Sequence, residues 1–292
     1  MSIQWFPGHM HQTTRQIEEM MPRIDVVIEL LDARLPISSQ NPLIDQLRGN
    51  TPCLKVLNKR DLADIETTGQ WVDWFNSQVD VQAVAVDAKH RPDVRKIPKI
   101  CRRLNPLRGL SEKPVRTMIV GIPNVGKSTL LNTLMGRKVA RVGNEPAVTR
   151  TQQKVKMDDG MDLCDTPGIL WHKFDDEAAG YRLAASGAIK DTAFDYEMVA
   201  LFTGKYLIKH YGEMLKRRYK LDVLPETVDE LIQMIGKKRG CLLSGGIVDT
   251  YRVSELLIRE MRDGRIGLIS FEQPGDYELD ACDGDVDLEL DF

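Results

Sequence analysis

The sequence predicts an α/β fold, in which a mostly parallel β-sheet is flanked by helices and followed by a small all-helical domain. Short apolar runs alternate with helical patterns over residues 24–164, as in strands that are joined by helical crossovers. The residues best suited to bind a ligand follow the ends of these runs, which is where open parallel sheets bind ligands. After residue 175, apolar residues recur at helical spacing instead.

Four apolar runs and one hairpin are expected to form the sheet. They are Ile24–Leu31, Cys53–Leu57, Val81–Val86, Val115–Val120 and the hairpin of 154–157 with 161–164. Helices are expected over residues 69–78, over residues 92–104 and from about Lys127 onward. Residues 105–114 are rich in turn formers and are expected to be a linker.

Two apolar stripes predict helices in the C-terminal part. Their residues lie at helical spacing: Val228, Leu231, Ile232 and Ile235 in the first, and Val253, Leu256, Leu257 and Met261 in the second. Four arginines lie off the second stripe and form either an RNA face or an ordinary solvated face: Arg252, Arg259, Arg262 and Arg265. The expected divisions are an arm (1–23), an α/β domain (24–175), a helical domain (176–271) and an acidic, disordered tail (272–292).

Charge is unevenly distributed along the 292-residue chain. Residues 272–292 hold nine acids and no Lys or Arg, whereas the remaining body has 34 acids and 40 bases. A mildly basic body is compatible with an RNA partner, and the acidic tail could compete with RNA or simply solubilise the chain. The sequence has no signal-peptide pattern, no long apolar run and no paired metal-ligand spacing among its five cysteines. We therefore expect a cytoplasmic protein with reduced thiols and no membrane partner.

A phosphate-binding loop follows the predicted strand at Val115–Val120. Gly121-Ile-Pro-Asn-Val-Gly-Lys-Ser128 matches G-x-x-x-x-G-K-[ST], in which glycines let backbone N–H groups approach phosphate oxygens closely. The Lys127 side chain is expected to reach the β- and γ-phosphates, and Ser128 is expected to bind Mg²⁺. The expected cradle consists of the backbone amides of Val125, Gly126, Lys127, Ser128 and Thr129.

Asn58-Lys59-Arg60-Asp61 matches N-K-x-D, the guanine-reading motif of GTPases, and follows another predicted strand. The Asp61 carboxylate can accept hydrogen bonds from N1–H and the exocyclic amine of guanine, whereas adenine would leave this acceptor unpaired. Asn58 is expected to contact the purine edge and to tie loops together, while the Lys59 stem lies over the ring. Asp87-Ala88-Lys89 is similar to the weaker S-A-K motif, whose alanine amide contacts the guanine oxygen; Asp stands here in place of Ser.

Two further segments are expected to sense the γ-phosphate. Asp165-Thr-Pro-Gly168 matches D-x-x-G, in which Asp165 would hold Mg²⁺ through water and the Gly168 amide would contact the γ-phosphate. Thr149 lies between the phosphate loop and this motif, where a switch threonine closes on Mg²⁺. The guanine motif precedes the phosphate loop here, which is the reverse of the usual order in GTPases. The sequence therefore predicts a circularly permuted P-loop G domain.

Together, these motifs resemble those of the circularly permuted ribosome-assembly GTPases, specifically the bacterial YlqF/RbgA family. Three further blocks carry the resemblance: Trp5–Met10, Asp32–Pro36 with Ser38-Ser39 and Asn41-Pro42, and Asp165–Trp171. The resemblance implies a GTPase that acts in assembly of the large (50S) ribosomal subunit. It also implies binding to ribosomal RNA and pre-subunit particles, with RNA contacted by the helical domain. GTP, GDP and Mg²⁺ are the expected ligands, and the expected protein is a monomer that does not bind DNA.

The catalytic group is less clearly indicated. Ile169 follows Gly168, at the position where Ras-like enzymes have the glutamine that orients the attacking water, so slow intrinsic hydrolysis is expected. His9 or His172 could supply the missing group, although His9 could equally be a structural or RNA-contacting residue. Asn124 is a candidate K⁺ ligand by similarity to GTPases with asparagine at this position, or else it stabilises the loop turn.

Two other functions stay open from the sequence. A regulatory GTPase whose helical domain binds a non-ribosomal protein would not be stimulated by ribosomal subunits. A metabolic phosphotransferase is disfavoured, because N-K-x-D and D-x-x-G together specify a GTPase.

Overall fold

In the part of the chain that the structure describes, six strands form one central sheet. The structure, a computed structural model, describes residues 15, 17–106, 113–137, 154–157, 160–165 and 177–278. The strands are β1 (Val26–Asp32), β2 (Cys53–Asn58), β3 (Val81–Ala85), β4 (Val115–Gly121), β5 (Lys154–Met157) and β6 (Met161–Asp165). They lie in the order β3-β2-β1-β4-β6-β5, and all neighbours are parallel except β5 and β6, which form an antiparallel hairpin. The predicted α/β class is confirmed.

The apolar strands are explained by burial of both faces of the sheet. In β1, Val26, Ile28 and Leu30 pack into one core, whereas Val27 and Leu31 pack into another. This separation follows from the alternation of successive side chains along a strand. Because both sets are fully buried, apolar residues make up most of the strand, and the buried Glu29 within it pairs with Lys55 of β2 at 2.6 Å.

Helices cover the two faces of the sheet. Those of residues 36–135 are α1 (Pro36–Ser39), α2 (Pro42–Arg48), α3 (Ile65–Asn76), α4 (Arg91–Val94), α5 (Ile97–Leu104) and α6 (Lys127–Met135). On one side α3 buries Trp71 and Phe75, and on the other α5 and α6 bury Ile97 and Leu130. The single helix predicted over 92–104 is divided into α4 and α5, because Pro98 lacks the N–H group that would continue the first helix.

Four longer helices follow and pack on one another. They are α7 (Glu177–Ser186), α8 (Tyr196–Tyr219), α9 (Val228–Arg239) and α10 (Thr250–Arg262). Both predicted stripes point inward, since all members except the half-buried Leu256 are buried. Side chains of Thr227 and Asp249 cap the first turns of α9 and α10. Within the part of the chain that the structure describes, no helix is long and apolar enough to cross a membrane.

The chain returns to the α/β domain after α10. The backbone N–H of Ile269 donates to the carbonyl of Leu62 at 3.0 Å, and that of Phe271 donates to the carbonyl of Arg34 at 2.6 Å. Trp71 Nε1 donates to the carbonyl of Glu272 at 3.0 Å. Residues 269–272, which we call the return segment, therefore fasten the end of the helical part to the sheet domain.

The position of Glu272 corrects the expectation that the disordered tail begins at this residue. Its side chain is buried, and its carboxylate accepts hydrogen bonds from the backbone N–H groups of Ile37 at 2.7 Å and Ser38 at 3.0 Å. The Ser38 hydroxyl also donates to it, and an Arg182 nitrogen lies 3.6 Å away. The acidic residue is ordered because it caps the first turn of α1 from a distant part of the chain. A short helix, α11 (Gly275–Glu278), follows, and residues 279–292 lie outside the described residues.

Candidate nucleotide-binding site

Asn58 joins three loops that the sequence singled out. It ends β2, and its side chain is buried. Asn58 Nδ2 donates to the carbonyl of Val125 in the phosphate loop at 2.7 Å, and Asn58 Oδ1 accepts from the backbone N–H of Ala88 at 2.8 Å. Thr133 Oγ1, on α6, donates to the carbonyl of Ala88 at 2.6 Å. The guanine motif, the phosphate loop and Asp87–Lys89 thus meet around one amide group.

The phosphate loop connects the end of β4 to the start of α6 at Lys127. Gly126 has φ +108°, and a Cβ atom there would lie 2.3 Å from Asn58 Nδ2, so a side chain does not fit. Lys127 Nζ donates across the loop to the carbonyls of Gly121 at 2.9 Å and Ile122 at 3.0 Å. Ser128 lies with Thr129 in the first turn of α6, where the backbone N–H groups of a helix start and the helix dipole favour a phosphate.

The guanine motif is braced by two ion pairs. Lys59 has a left-handed backbone, with φ +61°, and its Nζ lies 2.9 Å from Asp32 Oδ2. Burial lowers the pKa of Lys59, against the opposing attraction of Asp32. Arg60 Nη2 lies 2.8 Å from Asp93 Oδ2, so the Arg60 side chain holds the loop against α4. Asp61 is exposed beside these braced residues, as a residue that reads a diffusing base must be.

Asp87 organises its own loop, which accounts for an aspartate where the S-A-K motif has serine. One Asp87 carboxylate oxygen accepts from the backbone N–H of Lys89 at 2.8 Å. The backbone N–H of Asp87 donates to Asp93 Oδ2 at 3.2 Å. Because Asp93 also pairs with Arg60, the two base-side loops share one anchor on α4.

Arg34 belongs to the site although the sequence did not assign it a role. Its guanidinium donates to both carboxylate oxygens of Asp32, at 2.9 and 2.8 Å, and Nη2 also donates to the carbonyl of Ser186 at 3.0 Å. Arg34 and Lys59 hold the pKa of Asp32 well below its usual range, although burial alone would raise it. The signal in the sequence is an acid and a base two residues apart, where a mostly apolar strand ends.

Asn124 connects the phosphate loop to the end of α7. Its backbone is left-handed, with φ +57°, and its Nδ2 donates to the carbonyl of Gly187 at 3.1 Å. This contact fixes the orientation of the amide, which was predicted either to bind K⁺ or to stabilise the loop turn.

Several predicted residues are not placed by the structure. His9, Thr149, Gly168, Ile169 and His172 lie outside the described residues. Asp165 ends β6, and its backbone pairs with Ile119 in β4, two residues before Gly121. The backbone of Asp165 therefore reaches the same edge of the sheet as the phosphate loop.

Residues 116–220 match a protein family described as 50S ribosome-binding GTPase. The matched range begins with the strand that leads into the phosphate loop, and the guanine motif at 58–61 lies before it. This division agrees with the inverted motif order of the chain.

Curated relatives match nearly the whole chain. Ribosome biogenesis GTPase A of Priestia megaterium is 46% identical over 286 residues, which cover 95% of this chain and 99% of the relative. The Bacillus cereus protein of the same name is 45% identical over 284 residues, which cover 95% and 96%. The Thermotoga maritima protein is 30% identical, with 94% and 95% covered.

Two solved structures are similar to this fold. A GDP-bound structure of TM YlqF is 26% identical, with a TM-score of 0.62 and coverage of 90% of this chain and 100% of that one. GNP-bound YlqF from T. maritima is 25% identical, with a TM-score of 0.63 and coverage of 90% and 98%. The permuted order of strands and motifs is consistent with these structures.

Proposed function

This chain belongs to the ribosome biogenesis GTPase A family, and we propose that it acts as a GTP-hydrolysing assembly factor on the large (50S) ribosomal subunit. One observation carries the chemical part of this proposal. Asn58 holds the guanine motif, the phosphate loop and Ala88 together by hydrogen bonds of 2.7 and 2.8 Å. Three loops from separate parts of the chain therefore form one site with the parts that GTP requires.

We assign the two ends of the nucleotide to different loops. Asp61 would accept the N1–H and amine hydrogens of guanine, and the Ala88 backbone N–H region would lie near the guanine oxygen. The first-turn amides of α6 and the Lys127 ammonium would bind the phosphates. Lys127 already lies across the loop on two carbonyls, which keeps its charge close to the loop.

Mg²⁺ fits the oxygen ligands that this chain offers. We propose that Ser128, Thr149 and Asp165 hold it, since hydroxyl and carboxylate oxygens are ligands that this ion prefers. We also propose that Asn124 takes part in K⁺ binding. Its nitrogen donates to the carbonyl of Gly187, so its oxygen is the end of the amide that remains to face a cation.

We propose that exposed cations of the helical part contact ribosomal RNA. Some arginines are unsuited to this role, because Arg218 and Arg239 pair with the buried Glu260 and Arg262 pairs with Asp191. The exposed candidates are Lys205, Lys209, Arg217, Lys237 and Arg252. Contacts of such residues with phosphates would make binding to the particle strongly dependent on salt.

Hydrolysis in the free protein is expected to be slow, because the Ile169 side chain cannot hydrogen-bond to water. We propose His9, with His172 as a second candidate, as the group that orients the attacking water when a particle is bound. In the proposed cycle, GTP orders Thr149 and Gly168 and fixes the helical domain in its RNA-binding position. Hydrolysis then releases both, and the protein leaves the particle. The proposed monomeric state and cytoplasmic location agree with this cycle.

GTP hydrolysis with and without large ribosomal subunits, in KCl and in NaCl, tests this function. Strong stimulation by subunits, greater in KCl, is the expected result and supports the Asn124 proposal as well. A rate of GTP hydrolysis that does not change with subunits would instead favour a regulatory GTPase whose partner is a non-ribosomal protein. Stimulation that is equal in both salts would remove only the K⁺ role.

A further inference from the structure

Four consecutive backbone carbonyls at the end of α7 accept hydrogen bonds from three separate parts of the protein. We call residues 184–187 the α7 carbonyl cluster. Arg262 Nη2 donates to Ala184 at 2.8 Å and Arg262 Nε to Ala185 at 3.0 Å; Arg34 Nη2 donates to Ser186 at 3.0 Å, and Asn124 Nδ2 to Gly187 at 3.1 Å.

The end of a helix is a suitable place for such a convergence. The last carbonyls of a helix lack partners within it and carry its partial negative charge, so they bind arginine donors well. Gly187 has a left-handed backbone, with φ +85°, and a Cβ atom there would lie 3.4 Å from Arg262 Nε. The left-handed backbone of Gly187 therefore ends the helix, whereas the space around it would accept a Cβ atom.

Each donor leads to a different functional part. Asn124 lies in the phosphate loop. Arg34 pairs with Asp32, which also binds Lys59 of the guanine motif. Arg262 lies on α10 and is anchored by an ion pair of 2.9 Å with Asp191.

We propose that the α7 carbonyl cluster couples the conformation of the nucleotide loops to the position of the helical part, with Arg34 and Arg262 as positioning residues. Ser186 and Gly187 are adjacent, so one small movement of this turn alters the support of the guanine motif and of the phosphate loop together. The coupling is reciprocal: a nucleotide that fixes the two loops also fixes the turn and the helix α10 that holds it. The proposal rests on the proposed function only in requiring that GDP binds.

Arg262→Gln tests the proposal, because the hydrogen bonds and the ion pair of this residue go to α7 and Asp191. The Arg262 charge also repels Lys59, and Arg262→Lys, which keeps that charge, separates the two effects. We expect the mant-GDP release rate of Arg262→Gln to rise about three- to tenfold, which corresponds to the loss of roughly one net hydrogen bond. Arg265→Gln removes the same charge from an exposed residue that pairs with Asp263, and it should leave the release rate unchanged. Arg262→Lys keeps the charge but cannot donate to both carbonyls at once, so we expect an intermediate mant-GDP release rate. This variant replaces Arg262→Gln as the test if Arg262→Gln folds poorly.

Double-mutant cycles distinguish a specific coupling through this turn from a non-specific destabilisation of the nucleotide site. Combined with Asn124→Ala, Arg262→Gln should add little, because both changes release the same turn at the end of α7. Combined with Thr133→Val, which removes the bond to Ala88 on the opposite side of the loop, the two rate increases should multiply.

Folded Arg262→Gln and Arg262→Lys proteins that release mant-GDP at the wild-type rate would overturn the proposal. Rate increases that multiply with Asn124→Ala would also overturn it. A wild-type protein that fails to bind mant-GDP would instead contradict the proposed function itself.

Discussion

Substitution of Asn58 by alanine should uncouple the loops of the nucleotide site while leaving the sheet intact. The change removes two short hydrogen bonds, of 2.7 and 2.8 Å, and leaves the Val125 carbonyl and the Ala88 N–H without that partner. Each net hydrogen bond is worth about 1 kcal/mol, and a stranded buried group costs about 1–3 kcal/mol. GDP must then order the separated loops on binding, and a cost of about 2–4 kcal/mol for this corresponds to a GDP affinity lower by roughly 30- to 1,000-fold.

Titration calorimetry with GDP measures this loss, and urea unfolding of the nucleotide-free protein shows whether the variant is folded. Asn76→Ala is a matched control, because Asn76 Oδ1 likewise accepts a backbone hydrogen bond, from Ala83 at 2.8 Å, at a distance from the site. The control should lose about 1 kcal/mol of unfolding free energy and none of its GDP affinity. A folded Asn58→Ala protein that binds GDP within threefold of wild type would refute the reasoning.

Three further changes test other parts of the structure. Asp32→Asn breaks the buried pair with Arg34 and should cost about 3–5 kcal/mol of unfolding free energy at pH 7. Because the pKa of Asp32 is lowered in the folded protein, its stabilising effect should be complete above about pH 4 and should decrease as the pH falls further. Urea unfolding of wild type and Asp32→Asn from pH 7 to pH 3 measures this decrease. A difference in unfolding free energy between the two proteins that is constant with pH would contradict it. Glu272→Ala should destabilise the protein by about 2 kcal/mol or more, since a buried cap is lost, and Glu272→Gln should destabilise it by less. If thermal melting placed both variants at the wild-type midpoint, the Glu272 side chain would contribute nothing to stability. Gly126→Ala should lower GDP affinity at least about tenfold in the same calorimetry, because a left-handed backbone and a contact with Asn58 both oppose a side chain, and wild-type affinity would contradict this geometry.

The sheet and the order of the motifs could be predicted because their signals are local. Each predicted strand appears within one or two residues of its expected ends, since parallel strands that are buried on both faces are mostly apolar. The guanine motif and the phosphate loop each depend on a few adjacent residues whose chemistry is specific to the ligand. The meeting of these two loops followed from the rule that parallel strands end at one edge of a sheet.

The contacts that join distant parts of the chain could not be predicted in this way. Glu272 was assigned to a disordered tail because its neighbours in sequence are acidic, yet its partners are 234 and 235 residues away, at Ser38 and Ile37. Arg262 was grouped with surface arginines because it lies off an apolar stripe, yet it is held by the end of α7. Nothing in the local sequence distinguishes these charged residues from solvated ones, because their roles depend on which carbonyl or amide group the fold brings near.

The central claim is that a guanine motif placed before the phosphate loop still reads the base of the bound nucleotide. The affinities of GDP and xanthosine diphosphate for the wild-type protein and for Asp61→Asn test it most directly. The asparagine amide can donate to the 2-oxo group of xanthine but cannot accept both hydrogens of guanine. We predict that wild type prefers GDP strongly and that Asp61→Asn prefers xanthosine diphosphate. Equal preference for GDP in both proteins would contradict the account.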